Sequence, residues 1–347
     1  MRKFFKRDCA LGIMMLGACA LGLTACSSSD DDDSNGGGSV PGGNKSELVQ
    51  QGKMLLTQIE VTEVGMGSMT YVDKYYYRYD SQLRFVSGSH HEDEDSTYDF
   101  FRMDWQNSKA YLDDEMPYYD VRFNADGYLT ELSYGSIMKY KFSYDAAGHL
   151  VSQDLTVYLE DNETLTAKST LTWDGGNLVK TYAESVWTNE KGVVTARSSS
   201  ENTLTYGNQP NKYGQYPGIF AVGDDVDGLG GVGLFGKFSA NLPTSIVIVD
   251  TDEYGGHSST NTTRRTATFT LNSAGAIDTE EWVHVEDKNP SFTTTYKFSY
   301  SPTEGYTPSS AQGRPTSAVA KRLSPRKERL QRLRRAAMCS VLLHAHK

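Results

Sequence analysis

From Tyr140 to Leu150 the chain reads Tyr-Lys-Phe-Ser-Tyr-Asp-Ala-Ala-Gly-His-Leu. Alternation places Tyr140, Phe142 and Tyr144 on one face of a strand and Lys141 and Ser143 on the other. Asp145 then opens a turn, because its carboxylate can bond the backbone amides ahead of it. Gly148 closes the turn at the position that favours positive φ, and Leu150 starts the return strand. The same punctuation recurs at Tyr79–Leu83, with Leu83 as the return residue, and at Phe123–Leu129, Trp173–Leu178 and Leu271–Ile277. Period-2 alternation predicts further strands from Leu55–Thr62 and Thr70–Asp80 through Thr262–Leu271, Ile277–Glu286 and Phe292–Tyr300. About fourteen to sixteen strands result, and no segment shows a long helical period. The steps between turn units are uneven, 21 residues from Leu129 to Leu150 and 28 from Leu150 to Leu178, so these are repeated hairpins rather than a solenoid. The predicted fold class is all-β: one long antiparallel up-and-down meander curled into a barrel-like sheet.

One stretch breaks the alternation. Asn208 to Asn241 contains Pro210, Pro217, eight glycines and an apolar cluster of Leu229, Val232, Leu234, Phe235 and Phe238. It reads as a Gly-rich loop with a short helix near Leu229–Phe238, an insertion over about 208–242 ended by Asn241-Leu242-Pro243. Two roles are open: a lid or ligand-facing loop, or a cap over one end of the sheet. The need to bury its apolar residues favours the cap.

Composition adds an address. The 347 residues include 22 Tyr, and 22% are charged, which suits a β-rich globular body. Residues 27–311 hold 20 basic and 42 acidic side chains, a net −22 beneath the −10 of the whole chain. Such a body argues against nucleic acid or anionic lipid as its partner. Cys9, Cys19, Cys26 and Cys339 all lie outside that body, so it is no disulfide scaffold.

Arg2, Lys3, Lys6 and Arg7 precede an apolar, small-residue run over 9–25, too short for a comfortable span. Leu23-Thr24-Ala25-Cys26 resembles the bacterial lipobox, which implies cleavage before Cys26 and its lipidation. Leu16-Gly17-Ala18-Cys19 also fits the pattern, and an ordinary cleaved signal peptide is the remaining alternative. Ser27-Ser28-Ser29 followed by Asp30–Asp33 resembles the export signal of surface lipoproteins in Bacteroidota; a plain solvated acidic linker is the other reading. Residues 312–347 are Arg-rich, either a basic amphipathic helix with Leu330 and Leu333 on one face or an unpacked tail.

Candidate chemistry is sparse. His90-His91-Glu92-Asp93-Glu94-Asp95 offers metal-ligand types, but neighbours on a strand point to opposite faces, so a solvated hairpin tip is the reading. Asp224-Asp225-Val226-Asp227-Gly228 lacks the third ligand and the closing Glu of a calcium loop. His149, His257 and His284 are isolated in sequence. No Gly-x-Ser-x-Gly, phosphate loop or His-Glu-x-x-His is present. No catalytic, cofactor-binding or metal residue is assigned, and no cofactor is implied. The Tyr and Trp residues suit sugar stacking, or simply the filling of a barrel.

The Tyr-Asp-x-x-Gly-x-Leu units resemble YD/Rhs-type repeats. Together with the lipobox, the acidic tether and Gly233–Pro243, the chain resembles a Bacteroidota lipoprotein family of unknown function with a porin-like fold, over about residues 46–301. The resemblance implies a fold and an address and no activity. The expected organisation is a signal peptide (1–25), lipidated Cys26 with a flexible tether (26–45), one β-meander domain (46–301) and a basic tail (302–347). The expected protein is non-enzymatic and lipid-anchored at the outer membrane, exposed at the cell surface or else on the periplasmic face. Its partners would be the membrane, through the lipid, and a glycan or another envelope component. The alternative is a hydrolase acting on envelope glycan or peptide.

Overall fold

The structure, a computed structural model, describes residues 54–64, 70–93, 96–111, 118–159, 163–212, 233–286 and 292–302. Sixteen strands lie among them. They are β1 (Met54–Val64), β2 (Thr70–Tyr79), β3 (Phe85–Asp93), β4 (Ser96–Asp104), β5 (Lys109–Tyr111), β6 (Tyr119–Phe123), β7 (Leu129–Tyr134) and β8 (Met138–Tyr144). The second half holds β9 (Leu150–Tyr158), β10 (Thr164–Asp174), β11 (Asn177–Thr188), β12 (Val194–Pro210), β13 (Asn241–Tyr254), β14 (His257–Leu271), β15 (Ile277–Glu286) and β16 (Phe292–Pro302). Each pairs antiparallel with its neighbours in sequence, and β1 pairs with β16 to close the barrel. Closure leaves no edge strand to protect. The all-β meander expected from the alternation is therefore correct, and its curl is complete. The leader with Cys26 and Cys19, the tether, the Asp224–Gly228 loop and the basic tail lie outside the described residues.

The hairpins at one end share one device. Asp145 Oδ1 accepts the amides of Ala147 and His149, both at 2.9 Å, while the Gly148 amide reaches the Asp145 carbonyl at 3.0 Å. Asn124 does the same with Asp126 and Tyr128, Asn272 with Ala274 and Ala276, and Asp80 with Gln82 and Arg84. One side chain thus satisfies two turn amides that no ladder partner reaches. The fourth turn position has positive φ, 92° at Gly148. At Asp80 that position is Leu83, at φ 62°, so Leu83 belongs to the turn and the return strand begins at Phe85, two residues later than its sequence implied.

Six aromatic residues near the capped ends of their strands reach sideways. Tyr144 Oη donates to the Leu129 carbonyl (2.6 Å), Trp173 Nε1 to Leu150 (2.8 Å), Tyr206 Oη to Leu178 (2.7 Å) and Tyr300 Oη to Ile277 (2.7 Å). Trp105 Nε1 to Phe85 (2.7 Å) and Tyr79 Oη to Leu56 (2.9 Å) complete the set. Most acceptors lie at or near the start of the preceding hairpin's return strand, beside a register shift that interrupts the ladder. The aromatic of one hairpin thus locks the next to the last. Burial, aided by nearby Tyr128, pushes the Tyr144 phenol well above its ordinary value, so the lock stays protonated.

Residues 233–240 run along this end of the barrel. The Leu234 carbonyl accepts the Leu129 amide, the Lys237 amide donates to Gly148, and the Ala240 amide donates to Gly176, each at 2.9 Å. Leu234, Phe235 and Phe238 are buried, Phe235 with its ring centroid 5.3 Å from that of Phe142. The segment is a cap. It contains a turn and extended backbone, with no helix in the described part, which corrects the short helix expected near Leu229–Phe238. The Pro- and Gly-rich composition also overstated the insertion: pairing continues to Pro210 and resumes at Asn241. Pro243 sits inside β13 next to a bulge, where a missing amide is tolerated.

Candidate functional site

The register sorts every strand residue onto one of two faces. Leu132, Tyr140, Leu155, Ala167, Ser185 and Ser198 are paired in succession and face the lumen. The buried apolar residues form a single cluster there, densest toward the capped end with Phe85, Phe101, Trp105, Phe142, Leu150, Leu178 and Phe298. The outer wall is polar. Arg122, Glu131, Lys141, Asp154, Lys168 and Glu184 are paired one after another across six consecutive strands, a ladder of alternating charge. Lys139 meets Glu131 at 2.8 Å, Lys180 meets Glu201 at 2.9 Å and Lys74 meets Glu60 at 3.3 Å. A barrel in a bilayer carries an apolar outer band, and charge there costs about 2–4 kcal/mol per Arg or Lys at mid-depth. This barrel has the reverse polarity.

The outer wall holds a shallow groove of about 310 Å³ lined by Tyr182, Glu184, Arg197, Ser199, Thr251 and Glu253, from β11, β12 and β13. Arg197 Nη1 donates to Glu184 Oε1 at 2.7 Å, and the register sets Glu253 on the other side of Arg197. An aromatic ring, hydroxyls and a planar ion pair in one depression offer both donors and acceptors to a hydroxylated ligand.

The lumen has a second polar region, on β12 to β15 toward the uncapped end. Ser200, Asn202, Asp250, Thr263, Arg265 and His284 face inward there, and Glu280 faces inward on β15 nearer the capped end. Glu280 has 0% exposure and accepts a hydrogen bond from Trp282 Nε1. Burial, opposed by that bond, raises its carboxyl to about 8. His284 is 6% exposed, stacks on Phe292 at 4.1 Å and sits opposite Arg265. Burial first, and Arg265 second, lower it to about 3, so both groups are neutral at pH 7.

The other candidates disperse. His149 stacks on Trp173 at 4.3 Å with Nδ1 3.0 Å from Asp145 Oδ2, a turn brace at the capped end. His257 begins β14 at the opposite end, exposed. The backbone puts His90–Asp93 at the tip of the β3–β4 hairpin, with Asp93 paired to Ser96; Glu94 and Asp95 lie outside the described residues. Among the described residues no group of three or more His, Cys, Asp or Glu is placed to hold a metal ion. Sequence reasoning missed Glu280, Thr263 and the setting of His284. The signal was there for two of them, because Glu280 and His284 alternate with Trp282 and so share its buried face.

No protein-family model matches the chain, and no curated protein matches it. Among solved structures, a porin-like protein from Bacteroides uniformis is similar at 16% identity and TM-score 0.46, covering 71% of this chain and 96% of its own. A porin-like protein from Bacteroides vulgatus is similar at 13% identity and TM-score 0.35, covering 71% of this chain and 98% of its own. At so distant a likeness, the closed sixteen-strand pairing itself is what defines this fold.

Proposed function

We propose that this chain is a non-enzymatic envelope protein, tethered to the outer membrane by lipid on Cys26, whose barrel stands in water and acts as a binding or structural body rather than a channel. The observation that carries the reading is the polarity of the wall: aromatic and aliphatic side chains fill the lumen toward the capped end, while Lys, Arg, Glu, Asp and Thr cover the outside. A channel needs the opposite arrangement. Strand β1 begins and β16 ends at the capped end, with Met54 paired to Pro302. A tether ahead of β1 would therefore hold the capped end toward the membrane and present the other end outward, at the cell surface. The groove of Tyr182 and Arg197 is where an envelope glycan would lie.

The test is the Cys26→Ser variant of the full chain. It is expected in the aqueous phase after detergent partitioning, folded without detergent, and without conductance in a planar bilayer. Partitioning with the parent into detergent would remove the lipid on Cys26 from the reading. Stepwise conductance from either form would refute the water-borne barrel.

A further inference from the structure

We propose that the lumen between β12, β14 and β15 is a binding site for a small hydroxyl-bearing molecule, water or a polyol, held by Asn202, Thr263 and His284. The inference rests on the interior alone and is independent of the lipid anchor and the outer wall. Four inward side chains present polar atoms that meet no hydrogen-bond partner in the protein: Asn202 Oδ1, Thr263 Oγ1, Glu280 Oε2 and both ring nitrogens of His284. Thr263 and Glu280 are 0% exposed and His284 is 6% exposed, so bulk solvent does not satisfy them. Buried polar groups in native proteins are nearly always paired, with protein or with held water, and each orphan costs about 1–3 kcal/mol. A cluster of orphans in one wall points to a guest.

The pairing brings three of them, Asn202, Thr263 and His284, onto one stretch of the wall and leaves Glu280 apart. Asn202 and Thr263 lie on opposite sides of Ile248, each directly across from it on a neighbouring strand. Thr263 and Arg265 are successive inward residues of β14, and His284 is directly opposite Arg265. Glu280 is two inward positions along β15 from His284, beyond Trp282. Asp250, Asp252 and Arg265 are charged groups on this face, and each carries other interactions within the protein. The orphans are mixed. Asn202 Oδ1 only accepts, a hydroxyl does either, and a neutral imidazole offers one donor and one acceptor. An anion needs converging donors and a cation needs converging acceptors; a hydroxyl group is both at once and matches the mixture. The neutral state of His284 agrees with an uncharged guest.

The test is a double-mutant cycle by thermal unfolding of the full chain, using Thr263→Val, Asn202→Leu and the pair. Ile248 lies between the two side chains and keeps them from direct contact, so a clear departure from additivity marks a partner that both share. The expected result is a melting temperature several degrees lower for T263V, with the pair losing clearly less than the sum. If Thr263 has no guest, removing its hydroxyl at constant shape is neutral or stabilising. An unchanged or raised melting temperature, or strict additivity, overturns the proposal. Water relaxation dispersion on the unaltered protein and the pair identifies the guest. A long-lived water signal there, absent from the pair, assigns water. A thermal shift by glycerol larger in the parent than in the pair assigns a polyol. The absence of both signals also overturns the proposal.

Discussion

Glu280 is a carboxylic acid sealed between Phe269 and Tyr296, its cross-strand neighbours, and this fixes how stability follows pH. Its folded value, about 8, lies above the ordinary 4.5, so between those values the folded state holds a proton that the unfolded state has lost. Its contribution is complete below pH 4.5 and disappears as pH rises toward 8. His284 runs the other way. Its folded value, about 3, lies below 6.5, so its contribution is complete above pH 6.5 and disappears as pH falls toward 3. The two slopes oppose between pH 4.5 and 6.5, where stability is expected to be flat, with decline on both sides. Melting temperatures from pH 4 to 9 check this. Glu280→Gln should abolish the alkaline decline relative to the parent, and an identical profile for the two would refute the buried acid. A second residue-scale expectation concerns Gly236, at φ 86°, where an added Cβ would sit 2.5 Å from the Gly148 carbonyl oxygen and 2.9 Å from the Tyr144 ring. Gly135, at φ 50°, has nothing within 4 Å of such an atom. Alanine at Gly135 should cost about 1–2 kcal/mol from conformation alone. At Gly236 overpacking adds about 1–3 kcal/mol more. Chemical denaturation of both variants measures the difference, and equal costs would mean the cap is loosely seated.

At the scale of the hairpin, the unit Tyr-Asp-x-x-Gly-x-Leu has a physical explanation. The Asp or Asn saturates the turn, the Gly takes its positive φ, and the Leu buries. The aromatic tip binds the carbonyl near the start of the neighbouring hairpin's return strand. Tyr144→Phe should therefore destabilise by about 1–3 kcal/mol by stranding the buried Leu129 carbonyl. Urea unfolding of the variant checks it, and a loss below a few tenths would show that the ring alone matters. The turns, the faces and nearly all the strands were legible because a period of two is a local property. The lateral tie was not, because Tyr144 and its acceptor are 15 residues apart and Tyr206 and its acceptor are 28 apart, with no fixed spacing to betray them. Leu83 misled for a related reason: a leucine in a glycine's position looks like the start of a strand. The polar lumen stayed hidden because its members are spread over four strands, β12 to β15, that only the folded register sets side by side.

For the whole molecule, the ladder from Arg122 to Glu184 fixes more than solubility. Single exposed ion pairs contribute about 0–1 kcal/mol. Yet a two-residue slip of β9 or β10 would keep its inward face inward while putting Ser or Thr where Asp154 or Lys168 stands, so the outer wall disfavours register errors that the core tolerates. The cap adds a boundary condition. Pairing of the described barrel ends with Pro302 opposite Met54, so residues 312–347 are expected to be dispensable. Truncation after Ala311 should leave the cooperative melting transition in place, and a fall of several degrees would show that the basic tail packs.

The seam between β1 and β16 has one more consequence. Every strand has two neighbours, and the first and last are as well paired as any in the middle. Topologically the sheet is a ring, and the place where the polypeptide enters it is arbitrary. A short linker joining the end of β16 to the start of β1, with new termini cut between Gly255 and Gly256 in the exposed β13–β14 turn, would preserve every rung. The ring also means that no shorter nascent chain can complete the sheet. Closure awaits strands separated by about 240 residues, so the last rungs form only when β16 is delivered.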